Sequence, residues 1–471
     1  MDASNTQPFS LPLPDEKLSF WTKTTFAFGG LGNAVGPGTI IPFWYTFFLT
    51  DIARMDLGFV SMFWMIVTTW DALNNPLIGY LSDRTRSRWG RRRPYILWGA
   101  VPFGLFFVLL WWIPPVENQI LLFLYYLMVY LVFETAGTSI YCPYAALTPE
   151  LTHDHDERTS LMLYQMGVTI LAGVLVPVLF SFLILPLFPD RDPRAYQLLA
   201  LICGVFFVFT PLAAFFAARE RPNTFQENSL SPVETFRLVA KNVPFRYTLA
   251  MYVLGWMPVS VVMALFAYYF NYWVGMSLDE ISLVQGGIML MAWLFLPAVY
   301  WLSRRLEKKT AYVIGAGSWA LPMLATLLVP QNAKMLVYLI CGLSGFGISA
   351  IHLLPSAMMP DVIEVDELAS GQRQEGIYAG LTVFASKLGQ MLILTIMPIL
   401  LRWSGYVQPE PGTASAVQPP GALQAIRVMI AVLPAALLGL SMLAAWFYPI
   451  TREKHAQLRC EIEGAQTSDS N

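Results

Sequence analysis

The 471 residues are 56% hydrophobic and only 13% charged, about half the charged share of an ordinary soluble domain. That balance excludes a soluble globular chain, and apolar runs recurring from residue 20 to 448 read as a polytopic membrane protein. The net charge of −2 matters less than where the charges sit.

The first 19 residues, MDASNTQPFSLPLPDEKLS, are polar and hold no signal-peptide core. Twelve apolar runs follow, at 20–49, 56–82, 94–113, 118–149, 159–187, 194–218, 246–275, 279–303, 310–329, 332–360, 375–403 and 421–448. Each meets the requirement of roughly 20 residues for crossing a bilayer, so the expectation is an all-α membrane protein with twelve transmembrane helices. With both termini in the cytoplasm, 22 of the 29 lysines and arginines fall on that side. Arg54, Arg191, Arg194, Lys334, Arg402 and Arg427 fall outside and Lys387 within a span, which is the positive-inside asymmetry.

The expected organisation is a cytoplasmic segment 1–19, a six-helix bundle 20–218, a cytoplasmic linker 219–245, a second bundle 246–448 and a cytoplasmic tail 449–471. Within the linker, SPVETFRLVAKN reads as a short amphipathic helix capped by Ser231, with Pro232 in its first turn. The outer loop 404–420 is rich in Pro and Gly, and the tail is polar. The four cysteines share no metal-ligand spacing and imply no disulfide framework. A P-loop, an HExxH pair, a nucleophile elbow and a Cys/His cluster are all absent from the sequence, so an enzyme is not expected.

The bundles echo each other. Tyr80-Leu81-Ser82-Asp83-Arg84 closes the second span and Trp301-Leu302-Ser303-Arg304-Arg305 the eighth; PYAALTPE at 143–150 and PSAMMPD at 355–361 close the fourth and tenth. A parallel repeat of six-helix bundles is the construction of major-facilitator transporters, with the substrate path between the halves. Three longer motifs then carry a family resemblance: WDALNNPLIG with SDRTRSRWGRRRP, CPYAALTPELTHDHDERTSL at 142–161, and PDVIEVDELASGQRQEGIYAGLTVFASKLG at 360–389. Over nearly its whole length the chain resembles the glycoside–pentoside–hexuronide cation symporters, which include the melibiose permease. Sucrose carriers and lysolipid symporters are more distant. The resemblance implies the major-facilitator fold and coupled import of a small solute, usually a sugar.

Ionisable residues inside a bilayer cost several kcal/mol and tend to face cavities or partners. Asp71 lies twelve residues before Asp83, about 18 Å along a helix and so near the middle of the membrane. Asn74, Asn75 and Ile78 share its face. Lys387, fourteen residues past Arg373, sits at similar depth in the other half. The two read as a cation-sensitive pair across the cavity or as a structural ion pair. In sugar-coupled relatives an acid commonly stands at the position of Asn75 and completes a cation site with the acid at Asp71. An amide there weakens sodium binding, because sodium prefers anionic oxygens. Glu134 is a substitute: a carboxyl this deep suits a proton carrier, and it shares a helical face with Tyr141. The melibiose permease has an acid where Tyr141 stands, a tryptophan at Ala145 and an arginine corresponding to Gln165. His352 is the repeat counterpart of Tyr141. With Trp70, Asn74 and Trp256, the residues Tyr141, Gln165 and His352 form the candidate substrate set. Tyr268, Tyr269, Tyr272 and Trp273 read as an interfacial aromatic belt.

Six arginines crowd residues 84–93. Topology and contact with anionic lipids account for most of them, and nucleic-acid binding is not expected. The family reading adds a cytoplasmic gate in which Asp83, Arg84 and Arg88 meet Glu150 and Arg158 of one half and Asp361, Glu364 and Arg373 of the other. The expected function is therefore alternating-access symport of a sugar or glycoside across the cell membrane by a monomer without cofactor or metal. A proton is favoured over sodium as coupling ion. A lysolipid or amphiphile symporter and a non-transporting sensor are the alternatives.

Overall fold

The structure, a computed structural model, describes residues 18–151, 155–188, 192–217, 242–370, 375–409 and 417–449. The linker helix expected around Ser231, the tail and Arg373 lie outside them, as do the side chains of Asp83, Glu150, Arg158 and Glu364. Among the described residues the regular structure is entirely helical and crosses the membrane region twelve times. The first crossing is interrupted: α1 (Phe20–Gly29) and α2 (Leu31–Val35) lead into wider π-helical turns at Gly36–Tyr45 and Phe48–Ile52. Pro37 and Pro42 lack the N–H that an α-ladder needs there. The other crossings are α3 (Leu57–Arg84), α4 (Arg93–Leu110), α5 (Gln119–Leu151), α6 (His155–Leu179), α7 (Pro193–Ala217), α8 (Val243–Tyr268), α9 (Leu278–Arg305), α10 (Lys308–Ala325), α11 (Lys334–Ser370), α12 (Glu375–Trp403) and α13 (Pro420–Trp446).

Ten of the twelve are long and apolar enough to span a bilayer on composition alone. The other two are the interrupted first crossing and α3, which carries the DALNN polar stretch. The face where α1 begins and α13 ends is called the near face below, and the opposite one the far face.

The repeat is exact at backbone level from the end of the first crossing through the second crossing of each half. A constant offset of 221 residues maps the π turn Phe48–Ile52 onto the π turn Tyr269–Trp273. It also maps the left-handed Arg54 (φ 60°) onto Gly275 (φ 67°), and the N-cap Asp56 onto Ser277. The 28 residues of α3, including its internal Pro76, map onto the 28 of α9 with Pro297. Within the halves, α4 packs on α7 and α10 on α13. The first of these contacts requires glycine: a Cβ at Gly104 would lie 2.3 Å from the Gly204 carbonyl oxygen, the close backbone approach that small residues permit in membrane bundles. The halves meet through the first crossing on α8, α3 on α12 and α6 on α9.

Candidate functional site

Near the midplane, α3 and α12 bring Asp71 and Lys387 together, with Lys387 Nζ 2.6 Å from Asp71 Oδ1. Both side chains are mostly buried. Asn75, one turn along α3, donates its amide N–H to Asp71 Oδ1 at 2.7 Å and to the Asp71 carbonyl at 2.8 Å. It therefore holds the acid from below rather than offering an oxygen toward it. From α5, Glu134 lies within hydrogen-bonding reach of Asp71 and in the field of Lys387. Asn74 is 1% exposed, and neither of its amide atoms has a partner among the described residues. Two acids against one ammonium leave one negative charge in excess, which a single monovalent cation neutralises.

Between the halves, on the near-face side of the π turns, lies a cavity of about 470 Å³ walled by Asn33, Thr39, Met166 and Thr169 on one side and Met289, Trp293, Leu296 and His352 on the other. A second lobe of about 490 Å³ shares Asn33 and Thr169 and reaches Tyr141, Gln165 and Thr148 toward the near face. A third, almost wholly apolar lobe shares Met289, Ile348 and His352 with the first and enters the second bundle between Val262, Phe266, Trp319 and Met323. Of the expected substrate set, Tyr141, Gln165 and His352 line this space, with Trp256 in ring contact behind His352 at 4.3 Å between centroids. Gln165 Nε2 is already engaged by the Tyr144 hydroxyl at 2.8 Å. Gly32 is needed beside Tyr141, whose hydroxyl would stand 2.8 Å from any Cβ there. Asn74 is buried away from the cavity. Trp70 faces a different groove, turned there by an indole hydrogen bond to Thr135 Oγ1 of 3.0 Å.

The far face is sealed by a residue that the sequence reading passed over. Asp51, 3% exposed, closes the π turn of the first crossing and accepts from the Tyr406 hydroxyl at 2.6 Å, from Thr50 Oγ1 at 2.9 Å and from the Tyr272 hydroxyl. Thr50 in turn meets the Tyr268 hydroxyl at 2.6 Å, and Gln408 donates to the carbonyls of Thr50 and Met55. Trp44 to Gln285 (2.9 Å) and Ser61 to the Thr395 carbonyl (2.6 Å) add further ties between halves. The tyrosines expected in an interfacial belt thus point inward, because the π turn rotates them off the lipid face: Tyr268 and Tyr269 are fully buried. Asp51 and Tyr272 are repeat mates at the 221-residue offset. That offset, extended from the YLSDR match, is the signal that could have singled out Asp51.

At the near face, bonds between described residues join elements of one half. Asp361 pairs with Lys308 of the same bundle at 2.7 Å; Arg373 and the side chains of Asp83, Glu150, Arg158 and Glu364, expected with it in the gate, lie outside the described residues. Lys23 pairs with Glu157 at 2.8 Å. Arg84 lies over the Tyr80 ring at 4.1 Å and Arg88 over Trp89 at 4.4 Å. Arg92 and Arg93 donate to the Ala146 and Phe215 carbonyls. Ala145, Met162, Met166 and Ser356, on cavity-side helices toward this face, are exposed. Sealed at the far face and exposed here, the space opens toward the near face.

Residues 25–452 match the family model for MFS/sugar transport proteins. The chain belongs to that family. Members of this family are transporters. The chain is 29% identical to an uncharacterised symporter of Synechocystis over 98% of its own length and 99% of the relative's. It is 27% identical to a sodium-dependent lysophosphatidylcholine symporter of Danio rerio over 94% of this chain and 89% of that one. With an isoprimeverose transporter of Lactiplantibacillus pentosus it shares 24% over 89% and 88%. Among solved structures, a nucleoside transporter superposes with a TM-score of 0.65 at 11% identity, over 90% of this chain and 99% of that one, which shows the fold. The transporter is thus a multi-pass membrane protein of major-facilitator architecture, functioning in symport.

Proposed function

We propose that the transporter carries an amphiphile with a small polar head and one apolar chain into the cytoplasm, driven by a proton. The near face is then the cytoplasmic one, in keeping with the arginines of residues 84–93. The observation that carries the reading is the lining of the central space. A free sugar needs convergent charged or bidentate groups around its hydroxyls, whereas the polar groups here, Asn33, Tyr141, Thr148, Gln165 and Thr169, are uncharged, gather in the near-face lobe where a small head fits, and include a Gln165 that is already engaged. Past that lobe the cavity meets Met289, Trp293 and Leu296 and runs on into an apolar lobe that accepts a chain. The lysophosphatidylcholine relatives are consistent with that class.

The coupling site is Asp71, Glu134 and Lys387. Inward and outward states differ in whether Lys387 of one half reaches Asp71 of the other, so a proton shared by the two acids changes the balance between states. Sodium is the second reading, favoured by the Asn74 carbonyl, which has no partner among the described residues, and by the sodium dependence of the Danio rerio relative. Proteoliposome uptake decides both points, with labelled lysophosphatidylcholine and a labelled disaccharide each offered under a pH or a sodium gradient. Lysolipid accumulation driven by the pH gradient is expected. Accumulation of the disaccharide alone overturns the substrate class, and dependence on sodium alone overturns the ion.

A further inference from the structure

On the side of α3 away from the other half, α3 and α4 each pack on α5 rather than closely on one another. They leave a furrow of about 420 Å³ walled by Trp70, Trp98 and Pro102 and floored by Val132 and Thr135. Trp98 is 65% exposed, so the furrow opens outward to lipid. Its walls are apolar, and its hydroxyls are already satisfied. Thr135 accepts from Trp70 and donates to the Leu131 carbonyl, and Ser139 donates to the Ala136 carbonyl. Hydrocarbon therefore enters without leaving a polar group unpaired.

The furrow runs along α5 from Ser139 to Leu131, about 12 Å, so it lies mainly in the near-face half of a hydrocarbon core roughly 30 Å thick and ends just past the level of Glu134. Its near-face mouth is closed by the Tyr95 hydroxyl, 2.8 Å from Thr85 Oγ1. Thr85 stands between Arg84 and Arg86, and Arg86 is exposed, at the head of the six-arginine run. An apolar slot of one-leaflet depth with guanidinium groups at its interfacial end complements a lipid whose head carries a net negative charge.

We infer that this furrow is a binding site for an anionic phospholipid of the near-face leaflet, one acyl chain lying on Trp70 and Trp98 and the phosphate held at Arg86. The site has a route to transport. Trp70 and Thr135, bonded to each other across the furrow floor, are the chain neighbours of Asp71 and Glu134. A chain that braces the Trp70–Thr135 contact steadies the coupling acids behind it.

The test is native mass spectrometry of the full-length protein released from nanodiscs made of equal phosphatidylglycerol and phosphatidylcholine. Wild type is expected to retain one phosphatidylglycerol in preference to phosphatidylcholine. Val132→Trp, which fills the furrow, removes that preference. Arg86→Gln, a change on an exposed loop, weakens retention about tenfold, in line with a lost charge-assisted contact. Ile202→Trp, on the lipid-facing side of α7, leaves it unchanged. Equal retention of both lipids by wild type overturns the proposal. So does retention by Arg86→Gln and Val132→Trp equal to that of Ile202→Trp. Retention is read without flux, so its outcome does not depend on which substrate or ion the transporter uses.

Discussion

The second crossing of each half is the same object built twice with different chemistry. Helices α3 and α9 have the same length, start after the same left-handed turn and bear a proline at the same place. Yet Asp71, Asn74 and Asn75 of α3 correspond to Ala292, Phe295 and Leu296 of α9. The scaffold is duplicated and the charge is confined to one copy, whose partner Lys387 comes from α12. Apolar Ala292 and Leu296 line the substrate space instead. At the far face the two copies do meet as equals, Asp51 against Tyr272. The first half thus supplies the mid-membrane acid and amides and α9 of the second an apolar wall, while equivalent positions supply the seal.

The sharpest way to break this division is Asp71→Asn, which takes from Lys387 its 2.6 Å partner and leaves Glu134 as the one acid among the described residues acting on it. Loss of one partner of such a pair costs about 3–5 kcal/mol, so coupled accumulation should fall to background and thermal stability should drop. Pairing it with Lys387→Met should restore stability in a melting assay but not accumulation. Recovery of accumulation in the double variant would show that the pair is only structural.

Glu134→Gln comes next. It keeps the hydrogen bond but loses the transferable proton, so accumulation should fall about tenfold or more, within the usual range for losing a proton-transfer group. Downhill exchange should persist. Unchanged accumulation would move the proton elsewhere.

Tyr272→Phe removes one hydrogen bond to the buried Asp51 carboxylate, worth about 1.5–3 kcal/mol. The population should move about tenfold or more toward the state open at the far face, read as faster labelling of a cysteine placed at Ala53, which is buried beside the cluster but contributes no side-chain hydrogen bond to it. Ser61→Ala, which loses a single neutral bond to the Thr395 carbonyl, should produce the same shift at about 1 kcal/mol, roughly fivefold. If Ser61→Ala exceeded Tyr272→Phe, the Asp51 cluster would not be the principal seal.

Much of this was legible beforehand because it is local. Apolar runs of bilayer length gave the crossings, and depth counted from Asp83 and from Arg373 gave the level of Asp71 and Lys387. The YLSDR echo carried the repeat. Asp51 escaped because an acid two residues beyond an apolar run reads as loop; only the π turns bring it inside and against Tyr406, 355 residues away. Trp70 was read toward the substrate because it adjoins Asp71, but adjacent residues on a helix point about 100° apart, and its indole settled on Thr135.

By itself, then, the sequence determined an all-helical, twice-repeated membrane transporter with an acid and a base at one depth, since hydropathy, periodicity and spacing are properties of single segments. The tertiary structure alone decided which face is sealed, that the central space is mostly apolar, and that a lipid-facing furrow backs the coupling acids. Those features depend on how rigid helices from distant parts of the chain are placed against one another, which no local pattern encodes.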